Sequence, residues 1–475
     1  FELTTTLDFD TNADGKMDAN DAYWNGGEGW VPIGYDRHPF VGKFNGNNYQ
    51  INNLYIDSKD IELVGLFGYV SKSSAVISHL GLAGELMSVI GDSYSLSTGA
   101  LAGVVYDGAL VMFSYSVGSV SGPANVGGLV GVLESGASIH NSFSLGTVTG
   151  LVEITGGLVA SFDSADISES FSTATVNGAS PIGGFIGVAD HDATLSNSFS
   201  VGLVNPSYIY KGGLIGYAYS DSVITTNSHW ATDTSGQPTS GGESDIDNYF
   251  GATLAELQCP TTSDDTECLM NYTLYPTWDS TIWDFGTSSE LPGLIIDGVV
   301  YRDGDGDGAL DTNHAPEVTF VLTQNGNEVS DITIGDGDVT LEAVITDQDA
   351  SDHHTLSWTY EDVTVISETD TSVTFSSENL IVGDYTVSAV VTDNRYPIMS
   401  GYAEITFSVE AAPIEPEIIE PEVVEPEITE PEVVEPNPSP EVTPSSKSSG
   451  GGSMNLYWLI LISGLLLARK RGVSL

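Results

Sequence analysis

The sequence predicts an all-β protein: a right-handed parallel β-solenoid, then a β-sandwich, a disordered Pro/Glu-rich spacer and one short apolar helix at the C-terminus. Three observations lead there. A glycine-bounded apolar run recurs along residues 63–240. The segments between runs alternate apolar and polar residues with a period of two, the period of a strand. From residue 316 the strands lengthen and the glycine pattern stops.

Residues 1–62 read as opening coils, built on Phe1-Glu-Leu-Thr4, Trp30-Val-Pro-Ile-Gly34 and the run from Phe40 to Leu54. They are interrupted by an acidic loop, Asp10-Thr-Asn12-Ala-Asp14-Gly15-Lys16-Met-Asp18-Ala-Asn-Asp21. Side-chain oxygens fall at loop positions 1, 3, 5, 9 and 12, with the Lys16 carbonyl at 7 and Gly15 at 6 for the sharp turn. A seven-coordinate hard cation needs that spacing, so calcium is the expected ligand. The pattern resembles dockerin and EF-hand calcium loops, although Asp21 replaces the EF-hand glutamate. No paired second loop follows nearby, so cohesin binding is not implied.

The repeat itself runs through Leu63-Val-Gly-Leu-Phe-Gly68, Gly99-Ala-Leu-Ala-Gly103, Gly127-Gly-Leu-Val-Gly131, Gly156-Gly-Leu-Val-Ala160, Gly183-Gly-Phe-Ile-Gly187 and Gly212-Gly-Leu-Ile-Gly216, with starts 27 to 36 residues apart. A polar turn and a second strand follow each run, as in Ser138-Ile-His-Asn-Ser-Phe-Ser-Leu145 and Thr194-Leu-Ser-Asn-Ser-Phe-Ser-Val201. Such a unit cannot bury its apolar face alone, so units must stack as coils. At about 4.8 Å per coil, six coils make a rod of roughly 30 Å. The glycines are expected to supply positive φ at the corners. Asp107, Glu134, Asp163, Asp190 and Asp221 are expected along one exposed edge, and the Asn-Ser-aromatic runs at Asn141, Asn197 and Asn227 as stacked structural ladders. These residues resemble the GLUG-motif repeats of bacterial surface and secreted proteins, which include some IgA peptidases and haemagglutinin-like adhesins.

Residues 241–301 read as a cap and hold the chain's two cysteines, Cys259 and Cys268, in a polar loop with no His beside them. A loop disulfide is favoured in an exported protein. Zinc would want a CxxC or Cys/His set, and two free thiols remain open in a reducing compartment. A second acidic loop, within 302–315, places Asp303, Asp305, Asp307 and Asp311 at positions 1, 3, 5 and 9, Gly308 at 6, the Ala309 carbonyl at 7 and His314 at 12. It resembles a thrombospondin type 3 calcium repeat. It is expected to act as a metal-stiffened hinge of lower affinity, because His cannot give a bidentate carboxylate.

Residues 316–410 alternate over longer stretches, such as Val339-Thr-Leu-Glu-Ala-Val-Ile-Thr346, and predict a seven-strand sandwich. The run from Ala343 to Trp358 is similar to Ig-like modules of the PKD or cadherin-like type. Residues 411–449 repeat Glu-Pro-Glu; proline excludes regular structure and the glutamates repel, leaving an extended stalk of roughly 100 Å at about 3.1 Å per residue. The tail, 450–475, joins Gly450-Gly451-Gly452-Ser453 to the apolar run Met454–Ala468 and the basic cluster Arg469-Lys-Arg471. It resembles the GlyGly-CTERM sorting signal, which implies a Gram-negative host, transient membrane insertion and processing near Gly450–Ser453 by a rhomboid-type protease.

Lys and Arg number 12 against 66 Asp and Glu, a formal charge of −54. Nucleic acid is excluded as a partner, since binding it needs clustered bases that release counterions. No HExxH, GxSxG or phosphate-loop motif is present. Trp24, Trp30, Tyr35 and Trp230 could stack on sugars, but aromatics in such a repeat more often pack. The expectation is therefore a non-enzymatic surface adhesin whose partner is a glycan or a cell-surface protein. The rivals are a polysaccharide-active solenoid hydrolase or lyase, which needs two carboxylates in one cleft, and a plain architectural spacer.

Overall fold

The computed structural model describes residues 1–413, apart from 179, 221, 242–248 and 259–273. Cys259, Cys268, Asp221, the Glu-Pro-Glu spacer and the tail with Gly450–Ser453 lie outside the described residues. Among the described residues no helix is long and apolar enough to cross a membrane.

The chain from Phe1 winds into a parallel β-solenoid of about six coils in which each repeat supplies one strand to each of several sheets. The glycine-bounded runs form two six-stranded sheets side by side, one passing through Val126–Gly127 and Thr155–Gly156, the other through Val130–Glu134 and Val159–Asp163. A seven-stranded sheet takes the next strand of each coil, including Ser138–His140 and Asp166–Ser168, and a thirteen-stranded sheet takes the last, including Tyr115–Gly122 and Phe143–Gly150. The central apolar residue of each run, such as Leu101, Leu129, Leu158, Phe185 and Leu214, is fully buried inside the coil.

The glycines do a different job from the one expected. Positive φ falls instead on the polar corner residues Asn141 (48°), Glu169 (49°), Asn197 (46°) and Asn227 (49°), and at the opposite turn on residues such as Ser135 (60°) and Gly136 (76°). The run glycines let neighbouring backbones touch: a Cβ at Gly156 would overlap the Val159 carbonyl oxygen and lie 2.6 Å from the Gly187 nitrogen, and one at Gly183 would meet Ile186 and Gly216 in the same way. A side chain there cannot be relieved by a rotamer change, because the obstacle is backbone.

After each corner comes a buried serine whose hydroxyl accepts from the preceding coil. The N–H of Ser114, Ser142, Ser170 and Ser198 donates to the Oγ of Ser142, Ser170, Ser198 and Ser228, each at 3.2 Å. This satisfies backbone donors that the sharp corner leaves without a ladder partner. One residue on, Tyr115, Phe143, Phe171 and Phe199 stack with ring centroids 4.7, 4.7 and 5.1 Å apart and planes within 7° of parallel. The register pairs them directly, so the sequence run at the corners builds both ladders.

These rings face out of the solenoid, and the cap covers them. Strands Trp283–Asp284, Gly293–Ile296 and Val299–Tyr301 form an antiparallel sheet, and Trp278, Trp283 and Tyr301 pack on Phe199, Phe171 and Phe143 in a second core. The sandwich follows, a five-stranded sheet through Glu317–Gln324 and Val339–Thr346 against a four-stranded sheet through Gly383–Thr392 and Ser400–Glu410. Its core holds Leu322, Leu341, Val373, Phe375, Val387 and Phe407. The seven expected strands are joined by two of only two residues each, Asn327–Glu328 and Ile332–Thr333, too short to leave an alternation in the sequence.

Candidate metal centres and a shared groove

The two acidic loops fold alike. In the first, Asp10 accepts from the N–H of Asp14 (3.2 Å) on Oδ1 and from that of Gly15 (2.9 Å) on Oδ2. In the second, Asp303 accepts from Asp307 (3.1 Å) on Oδ1 and from Gly308 (2.8 Å) on Oδ2. The first residue of each loop is buried, Asp10 at 8 % exposure and Asp303 at 2 %, while Asn12, Asp14, Asp305 and Asp307 project at the surface. Gly15 and Gly308 take φ of +76° and +93°, so the turn at position 6 does require glycine.

The loops close differently. Asp21, also buried, accepts the N–H groups of Thr11 (2.8 Å) and Asp18 (2.9 Å), drawing the twelfth residue back onto the first turn. The Asp18 N–H, more than any other group, holds its carboxyl below the usual range. Asp18 itself is half-buried, and Lys16 is exposed. In the second loop Asp311 takes that part, accepting from the Gly304 N–H at 3.0 Å. His314 turns away to the sandwich, where its N–H and Nδ1 lie 2.7 and 3.1 Å from Asp349 Oδ2. Ala309 is exposed, and its N–H donates to Asp307 at 2.9 Å.

One carboxylate oxygen each from Asp303, Asp305 and Asp307 lies within 4.8 Å of the other two. Burial, with the charges of Asp307 and Asp311 behind it, pushes the Asp303 carboxyl up to about 7. A divalent cation would answer that repulsion. The donors gathered in the second loop are all hard oxygens at calcium-loop spacing, a set that fits calcium; the first loop keeps the spacing, but its carboxylates are not gathered into such a cluster.

The second loop is not free-standing. Gly308 offers its carbonyl to the N–H of Gly146 on the solenoid at 2.9 Å, and Asp311 accepts from Arg395 of the sandwich at 3.1 Å. Where a hinge was expected, the chain packs against two other parts of the fold. Arg395 also reaches Glu290 of the cap (2.7 Å) and Asp352 (2.8 Å), while Arg302 pairs with Asp284 and, at 3.7 Å, with Glu290. Burial disfavours a charged Glu290, but Arg302 and then Arg395 outweigh it and hold its carboxyl down at about 2. Sequence reasoning missed this network because no spacing joins Glu290, Arg302 and Arg395. The one available signal was scarcity, 12 bases among 66 acids.

Of the aromatics that could stack on sugars, the three tryptophans settle as packing. Trp230 is buried, Trp30 donates Nε1–H to Leu66, and Trp24 stacks on Tyr55 at 5.3 Å; Tyr35 is exposed. Among the described residues of the acidic edge, Glu134, Asp163 and Asp190 share a register. Val105 faces Leu133, so Tyr106, not Asp107, holds the ladder position opposite Glu134. His191 bridges the next two acids, its Nδ1 3.0 Å from Asp163 and 3.6 Å from Asp190.

Both acidic loops border one groove on the thirteen-stranded sheet. A 420 Å³ hollow is lined by Asp10 and Gly15, by Leu310 and Tyr396, and by Gln50, Asn52, Asn53 and Glu85. It shares Gly84, Glu85 and Val117 with a 470 Å³ hollow that continues over Ser119 and Thr147.

The coil that carries Ser138 to Leu145 also carries the most specific similarity. Residues 122–149 match the GLUG motif. A "Putative Gly-rich membrane protein" of Evansella cellulosilytica is 38 % identical over 66 residues, 14 % of this chain and 8 % of that protein. Halomucin of Haloquadratum walsbyi is 42 % identical over 57 residues, 12 % of this chain and 1 % of that protein. The chain thus spans under a tenth of the length of either relative. Among solved structures, a "putative immunoglobulin A1 protease" from Bacteroides ovatus aligns with 60 % of this chain and 82 % of its own at 17 % identity and a TM-score of 0.42. A nucleoside hydrolase-related protein from Saccharophagus degradans aligns with 22 % of this chain and 29 % of its own at 21 % identity and a TM-score of 0.17.

Proposed function

We propose that the chain is a cell-surface binding protein whose solenoid is stiffened by calcium and takes an extracellular glycan along the groove between its two acidic loops. The observation that carries this reading is the convergence of Asp10 and Gly15 with Leu310, about three hundred residues later in the chain, on one groove also lined by Gln50, Asn52 and Asn53. Amide and hydroxyl groups such as Asn52, Gln50, Ser119 and Thr147 suit sugar hydroxyls, and Tyr396 and Leu310 offer apolar faces. The GLUG match and the names of the two relatives support a place at the surface. The excess of acids suits a solvated exterior.

A glycan array probed with the full chain, with calcium and with chelator, tests the reading. Ser119→Trp should block the groove and abolish binding, while a substitution at exposed Tyr402, on the sandwich, should leave it intact. Binding unaffected by Ser119→Trp would rule the groove out. The polysaccharide-degrading alternative needs a second free carboxylate beside Glu85, and Asp10 is occupied by its own loop. Release of reducing sugar from a polysaccharide bound in the array would favour that alternative. The tail is assigned the role of a processed sorting signal on its sequence alone. Mass spectrometry of the surface form should find the C-terminus near Gly450–Ser453, and an intact Leu475 would overturn that assignment.

A further inference from the structure

Tyr35, unlike the three tryptophans, stays at the surface, 58 % exposed, and opens a tight turn. Its N–H donates to the His38 carbonyl (3.2 Å) and the His38 N–H donates to the Tyr35 carbonyl (2.8 Å), closing an antiparallel bridge across Asp36 and Arg37. The turn is fastened to the solenoid on both sides. The Ile33 carbonyl accepts from the Gly68 N–H (2.9 Å), and the Phe40 N–H donates to the Tyr69 carbonyl (2.8 Å). Gly34 permits this approach: its φ is +82°, and a Cβ there would lie 2.7 Å from the Tyr69 carbonyl oxygen.

The turn and the segment from Asp60 to Leu63 line one 570 Å³ hollow. That second segment is held by the loop of the next coil. The Asp60 N–H donates to Asp92 Oδ2 (3.0 Å), the Ile61 carbonyl accepts from Ser95 Oγ (2.8 Å), and the Glu62 carbonyl accepts from the Leu96 N–H (2.8 Å). Both linings therefore have anchored backbones, while their polar side chains stay open. Asp36, Arg37, Asp60 and Glu62 are all exposed, and their charged groups meet no hydrogen-bond or ion-pair partner among the described residues. Arg37 is the single arginine before residue 302 in a chain with 66 acids. Arg302 and Arg395, by contrast, are buried and ion-paired.

We propose that this hollow is a second carbohydrate site, separate from the groove, and that it takes a neutral hexose unit of an extracellular glycan. A hexose ring presents an apolar C–H face and a rim of hydroxyls that both donate and accept. Tyr35 offers an aromatic face; the ionised carboxylates of Asp36, Asp60 and Glu62 only accept, and Arg37 only donates. Hydroxyls meet both kinds of group at once, and bonds to charged partners are the stronger kind. Three carboxylates against one guanidinium repel an anionic sugar, and a cationic ligand leaves the Arg37 donors unmet. The anchored backbones reduce the ordering that binding would otherwise cost. With the groove, the hollow gives one chain two holds on a polymeric glycan, so avidity exceeds either affinity.

The test is isothermal titration of the full-length chain with maltohexaose, cellohexaose and mannohexaose, with a galacturonic-acid hexamer and pentalysine as charged controls. It is run in the Ser119→Trp background, where the groove is blocked, with and without Tyr35→Ala or Arg37→Ala. Both side chains are exposed, so neither change should disturb the fold, and circular dichroism checks this. At least one neutral hexasaccharide should still bind to Ser119→Trp, and each added change should weaken it about tenfold. No neutral hexasaccharide held in that background, or an affinity that neither added change alters, overturns the site. Binding confined to the galacturonic-acid hexamer or to pentalysine overturns it as well. The groove fails separately, when Ser119→Trp by itself leaves glycan binding as in the wild type.

Discussion

The backbone N–H of Gly146, in the middle of a solenoid strand, donates to the carbonyl of Gly308 at 2.9 Å. That bond pins the second acidic loop to the side of the solenoid, so a cation held by the loop stabilises the solenoid and cap together. Thermal unfolding in calcium should therefore exceed that in chelator, by about 2.7 kcal/mol for one site when calcium stands at 100 times its dissociation constant. Asp303→Asn should remove much of the difference. Identical melting curves with and without chelator would count against calcium in either loop.

The run glycines should be far less replaceable than the turn glycines. Gly156→Ala drives a methyl into the Val159 carbonyl and the Gly187 nitrogen, and a loss above about 4 kcal/mol, or no soluble protein, is expected. Gly136→Ala strains a backbone at φ +76° but meets nothing within 4 Å, and should cost about 1 kcal/mol. Urea unfolding of the two variants measures the contrast, and equal losses would remove the close-approach explanation.

Phe171 sits between Phe143 and Phe199 and under Trp283, with no exposed surface. Phe171→Ala should destabilise by about 3–5 kcal/mol, the range for emptying a buried aromatic site, and should loosen the cap first. Hydrogen exchange should then rise in Gly293–Tyr301 before it rises in the solenoid core. A variant that melts as the wild type does would mean the ladder adds nothing to holding the cap.

Glu290 gives the cap–sandwich junction a pH dependence. Its carboxyl is held down at about 2, below the 4.5 of an unperturbed glutamate, so the stability it lends is fully present above pH 4.5 and is lost as pH falls towards 2. The loss should approach about 3 kcal/mol. Glu290→Gln should flatten that part of the stability profile while leaving the profile above pH 5 parallel to the wild type. An unchanged acid limb would show that Arg302 and Arg395 do not act through Glu290.

Much of the fold was legible because the signals are local. Period-two alternation and the recurring glycine runs depend only on neighbours in sequence, and they place the solenoid strands around Leu129, Leu158 and Phe185. The first acidic loop was equally legible, since Asp10 and Asp21 are brought together by one turn of chain. The second loop was half legible: spacing identified Asp303, Asp305 and Asp307, but its closing partner was not where the pattern put it. Asp349 captures His314 from 35 residues away, and no local spacing reports such a contact.

The sequence by itself determined an all-β chain, the coil as its repeating unit, the serine and aromatic runs that become ladders, and the two acidic loops, because each follows from spacings no longer than about one coil. Tertiary structure decided the rest. It showed that the run glycines serve backbone contact between coils rather than corner geometry, and that Arg395 joins Glu290, Asp311 and Asp352 from three segments. It also brought Asp10 and Leu310 to one groove. The physical reason is the same in each case: steric overlap, ion pairing and shared lining depend on separation in space, which the stacking of coils and the docking of cap and sandwich set, and which chain spacing does not encode.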